Sequence, residues 1–141
     1  MNQIFKNDFF EVKSLIEINT DNSNIIKIID KNKKNFHGIS EIYSSNFKKN
    51  TIRAWKKHTK MFCNIFVIKG SIKFKFYDDN FIKSNELILG ENDKKILFIK
   101  PNIWFGFKGL SENNSLINIS NLIHDDKEVL KKDYNAKFSE F

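Results

Sequence analysis

The chain has 141 residues, a formal net charge of +7 and a pI of about 9.4, with 40% hydrophobic, 14% aromatic and 29% charged residues. That length suits a single domain, 1–141, and the composition is globular, which excludes wholesale disorder. The lone cysteine, Cys63, excludes an intrachain disulfide framework and a cysteine-based zinc site, and no apolar run is long enough for a membrane span. The opening segment MNQIFKNDFFEVK lacks the continuous apolar core and cleavage site of a secretory signal, so a cytoplasmic location is expected.

Short β-rich runs dominate from residue 25 onward. NIIKIID predicts a strand starting near Ile25, HGISEIYSS one over Ile39 to Ser44, and TIRAWKKH one from Thr51 to His58. MFCNIFVIK and SIKFKFYDD, parted by Gly70, predict a hairpin. Its second arm puts Ile72, Phe74 and Phe76 on one face and Lys73, Lys75 and Tyr77 on the other. The first arm, Phe62 to Ile68, is apolar on both faces and is expected at the centre of a sheet or under a partner subunit. NELILG, KKILFIK, IWFGFKG and SLINISNLI continue the series, and Pro101 must sit at a strand end or turn. DDKEVLKK, with acids first and lysines last, predicts a C-terminal helical segment over about 124–134. Strands at this spacing with almost no helix indicate an all-β sandwich, jelly roll or small barrel, with a core over about 25–123.

The rare residues mark where to look. Arg53 is the only arginine among 24 Lys+Arg, Pro101 the only proline, and Trp55 and Trp104 the only tryptophans. They fall in two segments, IRAWKKH and KPNIWFGF. In the first, strict alternation puts Ala54, Lys56 and His58 on one face and Arg53, Trp55 and Lys57 on the other, and a bulge would change that parity. In the second, Trp104, Phe105 and Phe107 offer flat apolar surface for a base or sugar ring. His124 with Asp125 and Asp126 is a third candidate, as an oriented acid/base group or as a helix-cap neighbour. His37 reads as a turn residue and Cys63 as packing. Three scattered histidines give no metal-ligand spacing, so no metal and no cofactor are expected. Lysines are spread among acids with no arginine-rich tract, which argues against nucleic acid. A phosphate-bearing small ligand needs only a few of these cations.

From Ile39 to Tyr134 the order Arg53…His58, FVIKGSIKFKFYDD, LFIKPNIWFGFKGLS and LINISNLIHDDKEVL resembles the dTDP-4-dehydrorhamnose 3,5-epimerase family of small sugar-nucleotide cupins. The sugar-nucleotide 3,4-ketoisomerases share that fold. The resemblance implies a double-stranded β-helix (jelly roll) and a homodimer. It implies a nucleotide-sugar ligand and isomerisation of a dTDP-4-keto-6-deoxyhexose in polysaccharide or deoxysugar biosynthesis. The epimerases place a base histidine three residues after the motif arginine; here that position is Lys56. Their tyrosine acid falls at Asn118 and their enolate-steadying lysine near Cys63 or Asn64. The ketoisomerases carry histidines three and five residues after the arginine, and His58 matches the second. The chain reads as a divergent member. His58 is the candidate base and Lys56 its catalytic companion, and Arg53 is the candidate diphosphate clamp. Trp55, Asn64, Trp104, Phe107, Asn118 and His124 are the other candidate binding residues. The acid is open between Tyr77, Tyr43 and His124. The competing reading is a non-catalytic sugar-nucleotide or carbohydrate-binding cupin.

Overall fold

The computed structural model describes residues 4–135 and 141. Their strands are, in chain order, β1 (Ile4–Lys6), β2 (Glu11–Ser14), β3 (Ile16–Asn19), β4 (Asn24–Lys27), β5 (Glu41–Lys48), β6 (Ile52–His58), β7 (Cys63–Lys69), β8 (Ser71–Tyr77), β9 (Ser84–Gly90), β10 (Lys95–Ile99), β11 (Trp104–Gly109), β12 (Asn113–Ser120) and β13 (Val129–Lys131). Six strands form one antiparallel sheet in the order β1-β2-β10-β7-β12-β5, and five form a second in the order β13-β6-β11-β8-β9. β3 and β4 pair only with each other.

The two sheets are held together by the alternation that the β7–β8 hairpin announces. Ile72, Phe74 and Phe76 are fully buried, and Cys63, Ile65 and Val67 meet them from the other sheet. Each such side chain contributes roughly 1.5–3 kcal/mol by leaving water. β7 lies between β10 and β12, which explains why its sequence is apolar on both faces. Gly70 makes the hairpin turn with φ +75°, a conformation costly for residues with a Cβ. Pro101 follows β10 in a turn completed by Asn102 at φ 71°.

Two features differ from expectation. The core starts before residue 25, because β2 delivers Phe10 and Val12 into it. That strand is short and begins after a turn in which Asn7 Oδ1 accepts from the amides of Phe9 and Phe10, so no long alternation advertises it. The expected C-terminal helix is absent; residues 126–128 form a turn and β13 follows, pairing Val129 with His58 and Lys131 with Lys56. An eight-residue helix is marginal alone. Burial of Val129 and capture of the Glu128 carboxylate by neighbouring elements outweigh the charge pattern that favours helix.

Candidate active site between the sheets

On a regular strand Arg53 and Lys56, three residues apart, would point to opposite faces. β6 is not regular. Lys56 lies opposite Phe105 and Arg53 opposite Phe107, so Ala54 and Trp55 together face the single residue Gly106. This extra residue is a β-bulge, and the Ala54–Trp55 peptide within it is cis. The bulge brings Arg53, Lys56 and His58 to one side and turns Trp55 to the other. The strict alternation that grouped Arg53 with Trp55 is thereby corrected. Gly106 is fitted to the bulge: a Cβ there would lie 2.5 Å from the Ala54 Cβ and 2.9 Å from the Arg53 carbonyl oxygen.

Arg53, Lys56 and His58 line a cavity of about 150 Å³ with Tyr43, Phe105, Phe107 and Asn118. A second hollow of about 250 Å³, bounded by Glu41, Met61, His124 and Val129, shares Tyr43, Lys56 and His58 with the first. Together they form one groove. Its cations are crowded. Burial pushes the Lys56 ammonium below its ordinary pKa, and the charges of Lys131 and Arg53 push it the same way. Arg53 has no ion pair among the described residues. Such a cluster favours an anionic ligand.

His58 is buried, with Nδ1 2.7 Å from Glu128 Oε1. Glu128 Oε2 accepts from the amides of Lys60 and Met61 at 2.9 and 3.0 Å. Burial pushes the Glu128 carboxyl up, but the His58 hydrogen bond and those two amides outweigh it and hold its pKa below the ordinary 4.5. An ionised carboxylate only accepts, so Nδ1 carries the proton and Nε2 is the nitrogen left with a lone pair for the cavity. A carboxylate that orients an imidazole in this way makes a general base.

Across the groove, β12 pairs Asn118 directly with Tyr43 of β5. Asn118 Nδ2 donates to the Tyr43 hydroxyl at 2.9 Å, while Asn118 Oδ1 is buried and has no hydrogen-bond partner among the described residues. Burial raises the Tyr43 phenol above its ordinary pKa, against a lowering from the Asn118 hydrogen bond. Burial also pushes the Cys63 thiol up to about 11, so it is neutral and no ready nucleophile.

The other candidates lie elsewhere. Trp55 is 1% exposed and packs among Tyr77, Phe81 and Phe141 on the far side of the five-stranded sheet. Trp104 joins that side against Phe81 and under Lys57 Nζ, so it does not share the Arg53–His58 cavity. Asn64 is buried, its Nδ2 donates to the Ile119 carbonyl, and it borders a different hollow under the β3–β4 hairpin. His124 stands at the groove mouth, with Nε2 2.9 Å from Asp126 Oδ1. Tyr77 belongs to the Trp55 cluster and not to the groove. His37 stacks on Phe62 at 3.8 Å, outside the groove. Among the described residues no three potential metal ligands converge. The residue that sequence reasoning missed is Glu128. The only signal for it was an acid in a segment that read as helix.

The family model described as FdtA: WxcM-like, C-terminal, matches residues 9–141, and the chain belongs to that family. A dTDP sugar isomerase from Desulfovibrio desulfuricans G20 superposes with a TM-score of 0.82 at 22% identity, over 95% of this chain and 90% of that one. A dTDP-6-deoxy-D-glucose-3,5-epimerase from Legionella pneumophila, in complex with dTDP-4-keto-L-rhamnose, gives 0.85 at 11% identity, over 100% and 82%. A 3,4-ketoisomerase mutant from Thermoanaerobacterium thermosaccharolyticum, in complex with TDP-4-keto-6-deoxyglucose, gives 0.78 at 16% identity, over 90% of each chain. At these identities the likeness is one of fold: the all-β, cupin-like jelly roll of the sugar-nucleotide epimerases and isomerases. No curated protein matches the chain in sequence.

Proposed function

We propose that the chain is a sugar-nucleotide isomerase or epimerase acting on a dTDP-4-keto-6-deoxyhexose. With this reading go the homodimer, the cytoplasmic location and the polysaccharide or deoxysugar pathway implied by the resemblance. The observation that carries it is the Glu128-backed His58 in one groove with the cations Arg53 and Lys56. A 4-keto group acidifies the adjacent C–H bonds. His58 Nε2 takes one such proton, and Lys56 steadies the negative charge that develops on the carbonyl oxygen. Arg53 offers a planar fork to the diphosphate, a geometry that lysine cannot reproduce. Phe105 and Phe107 supply an apolar wall that the sugar ring can lie against.

A binding role without catalysis is favoured by one observation: Lys56 and Asn118 stand where the resembled epimerases carry their base and acid. Turnover of TDP-4-keto-6-deoxyglucose, set beside binding of dTDP, separates the two readings. The isomerase reading predicts that His58→Asn lowers kcat by about 10²–10⁴-fold and leaves dTDP-induced thermal stabilisation intact. Stabilisation of the unmodified chain by dTDP with no turnover of any 4-keto sugar nucleotide would select the binding role.

A further inference from the structure

We propose that Lys56 acts covalently at this site: its amine condenses with the keto group of the sugar nucleotide to an iminium, from which His58 takes the neighbouring carbon-bound proton. The proposal rests on the isomerase reading above. The charge contact assigned there to Lys56 is what its ammonium form provides, and the free amine goes one step further.

Placement carries the argument. Among the described residues Lys56 is the one lysine that lines the groove, and it borders both hollows, as His58 does. Beyond the bulge β6 runs in regular register against β11 and β13, so Lys56 and His58, two residues apart, project from the same face. Their Cα atoms are then roughly 7 Å apart, a spacing that the flexible lysine stem can close so that amine and imidazole reach adjacent carbons of one ring.

Lys56 is also uncommitted. Lys57 pairs with Asp79, and Lys131 Nζ lies 3.8 Å from Asp126 Oδ1. Lys56 has no ion pair or hydrogen bond among the described residues, not even with Glu41, the acid of the second hollow. Partial burial, and then the charges of Lys131 and Arg53, favour loss of its proton. That is the environment in which a lysine becomes a nucleophile toward a carbonyl carbon.

The step balances. The Lys56 nitrogen gives its lone pair to the keto carbon, and a proton passes from nitrogen to the former carbonyl oxygen. The C–O bond of that carbinolamine then breaks with uptake of a proton from solvent. In sum, one amine, one ketone and one proton give one iminium and one water. His58 Nε2 takes a proton from the carbon next to the iminium carbon. The C–H electron pair becomes a C=C bond and the C=N pair withdraws onto nitrogen, giving a neutral enamine. The positive nitrogen is a stronger electron sink than a carbonyl oxygen, so the proton leaves more easily. Protonation of the same carbon and addition of water reverse the sequence and free the lysine. Nitrogen stays on the keto carbon throughout, so the route is an epimerisation beside a keto group that does not move.

The test is reductive trapping. The unmodified protein is incubated with TDP-4-keto-6-deoxyglucose and cyanoborohydride, which reduces an iminium in preference to a ketone, and its peptides are mapped by mass spectrometry. The sugar nucleotide should be found joined to Lys56 through a secondary amine, and excess dTDP should prevent it. His58→Asn, which stalls after condensation, should still form the adduct. Lys56→Arg keeps the cation but supplies no free amine. The adduct should be lost and turnover with it, while dTDP-induced thermal stabilisation remains. A second readout is oxygen exchange, because each passage through the iminium replaces the keto oxygen with one from solvent. The unmodified protein and His58→Asn should accelerate uptake of heavy oxygen from labelled water, and Lys56→Arg should not. Deuterium uptake by the unmodified protein with no adduct at Lys56 and no accelerated oxygen exchange would overturn the proposal, as would undiminished turnover in Lys56→Arg or a product whose keto group has moved. An unmodified protein that neither takes up deuterium nor turns over any 4-keto sugar nucleotide overturns the isomerase reading itself, which is a different result.

Discussion

His58 owes its chemical usefulness to Glu128, a residue seventy positions away in sequence and 2.7 Å away in space. The carboxylate fixes the imidazole tautomer and stabilises the cation that forms when Nε2 takes a proton. Glu128→Gln keeps the shape and removes the charge. It should cost about 10–100-fold in kcat with a smaller change in KM, measured by steady-state kinetics. The same residue makes stability depend on pH. Its folded pKa is depressed below 4.5, so its contribution is complete above 4.5 and disappears as the pH falls through the lower folded value. A melting series over that acid range should show the unmodified protein losing this contribution and Glu128→Gln lacking it throughout. At this scale the sequence was half legible. Arg53 and His58 stand out by rarity and spacing. Glu128 does not, because its partners are the His58 ring and the Lys60 and Met61 amides, and no local pattern encodes a contact that distant.

Strand β6 shows why the element scale decides the site. A regular strand would split Arg53 from Lys56 and His58, and the groove would lose its clamp or its base. Gly106 on β11 is what admits the bulge, since any larger residue meets Ala54 and the Arg53 carbonyl. Gly106→Ala should destabilise the protein by about 1–3 kcal/mol, read from denaturant unfolding, and should lower kcat/KM more than a comparable substitution on β9. The β7–β8 hairpin and the central place of β7 were readable because their alternation is long and uninterrupted. The bulge was readable only as a possibility, because the extra residue is specified by the partner strand β11. The segment 124–134 reads as helix because its charges favour one, whereas its true partner, β6, is invisible to local periodicity.

For the whole molecule, the +7 charge first suggests a polyanionic partner. The structure redistributes that emphasis. Lys57 pairs with Asp79, Lys73 with Glu86 and Lys94 with Glu17. Arg53 and Lys56 instead face a groove that a single small anion can fill. The two sheets each supply one wall: β6 and β11 bring the cations, the base and the aromatic wall, and β5 and β12 bring the phenol and its amide. The central claim is that this groove removes a proton from carbon next to a keto group. It is tested most directly by incubating the protein with TDP-4-keto-6-deoxyglucose in heavy water and following the sugar by NMR and mass spectrometry. The account predicts deuterium at a carbon adjacent to the original keto group, dependent on His58. Tight binding of the sugar nucleotide with no deuterium uptake, there or with other 4-keto sugar nucleotides, would contradict it.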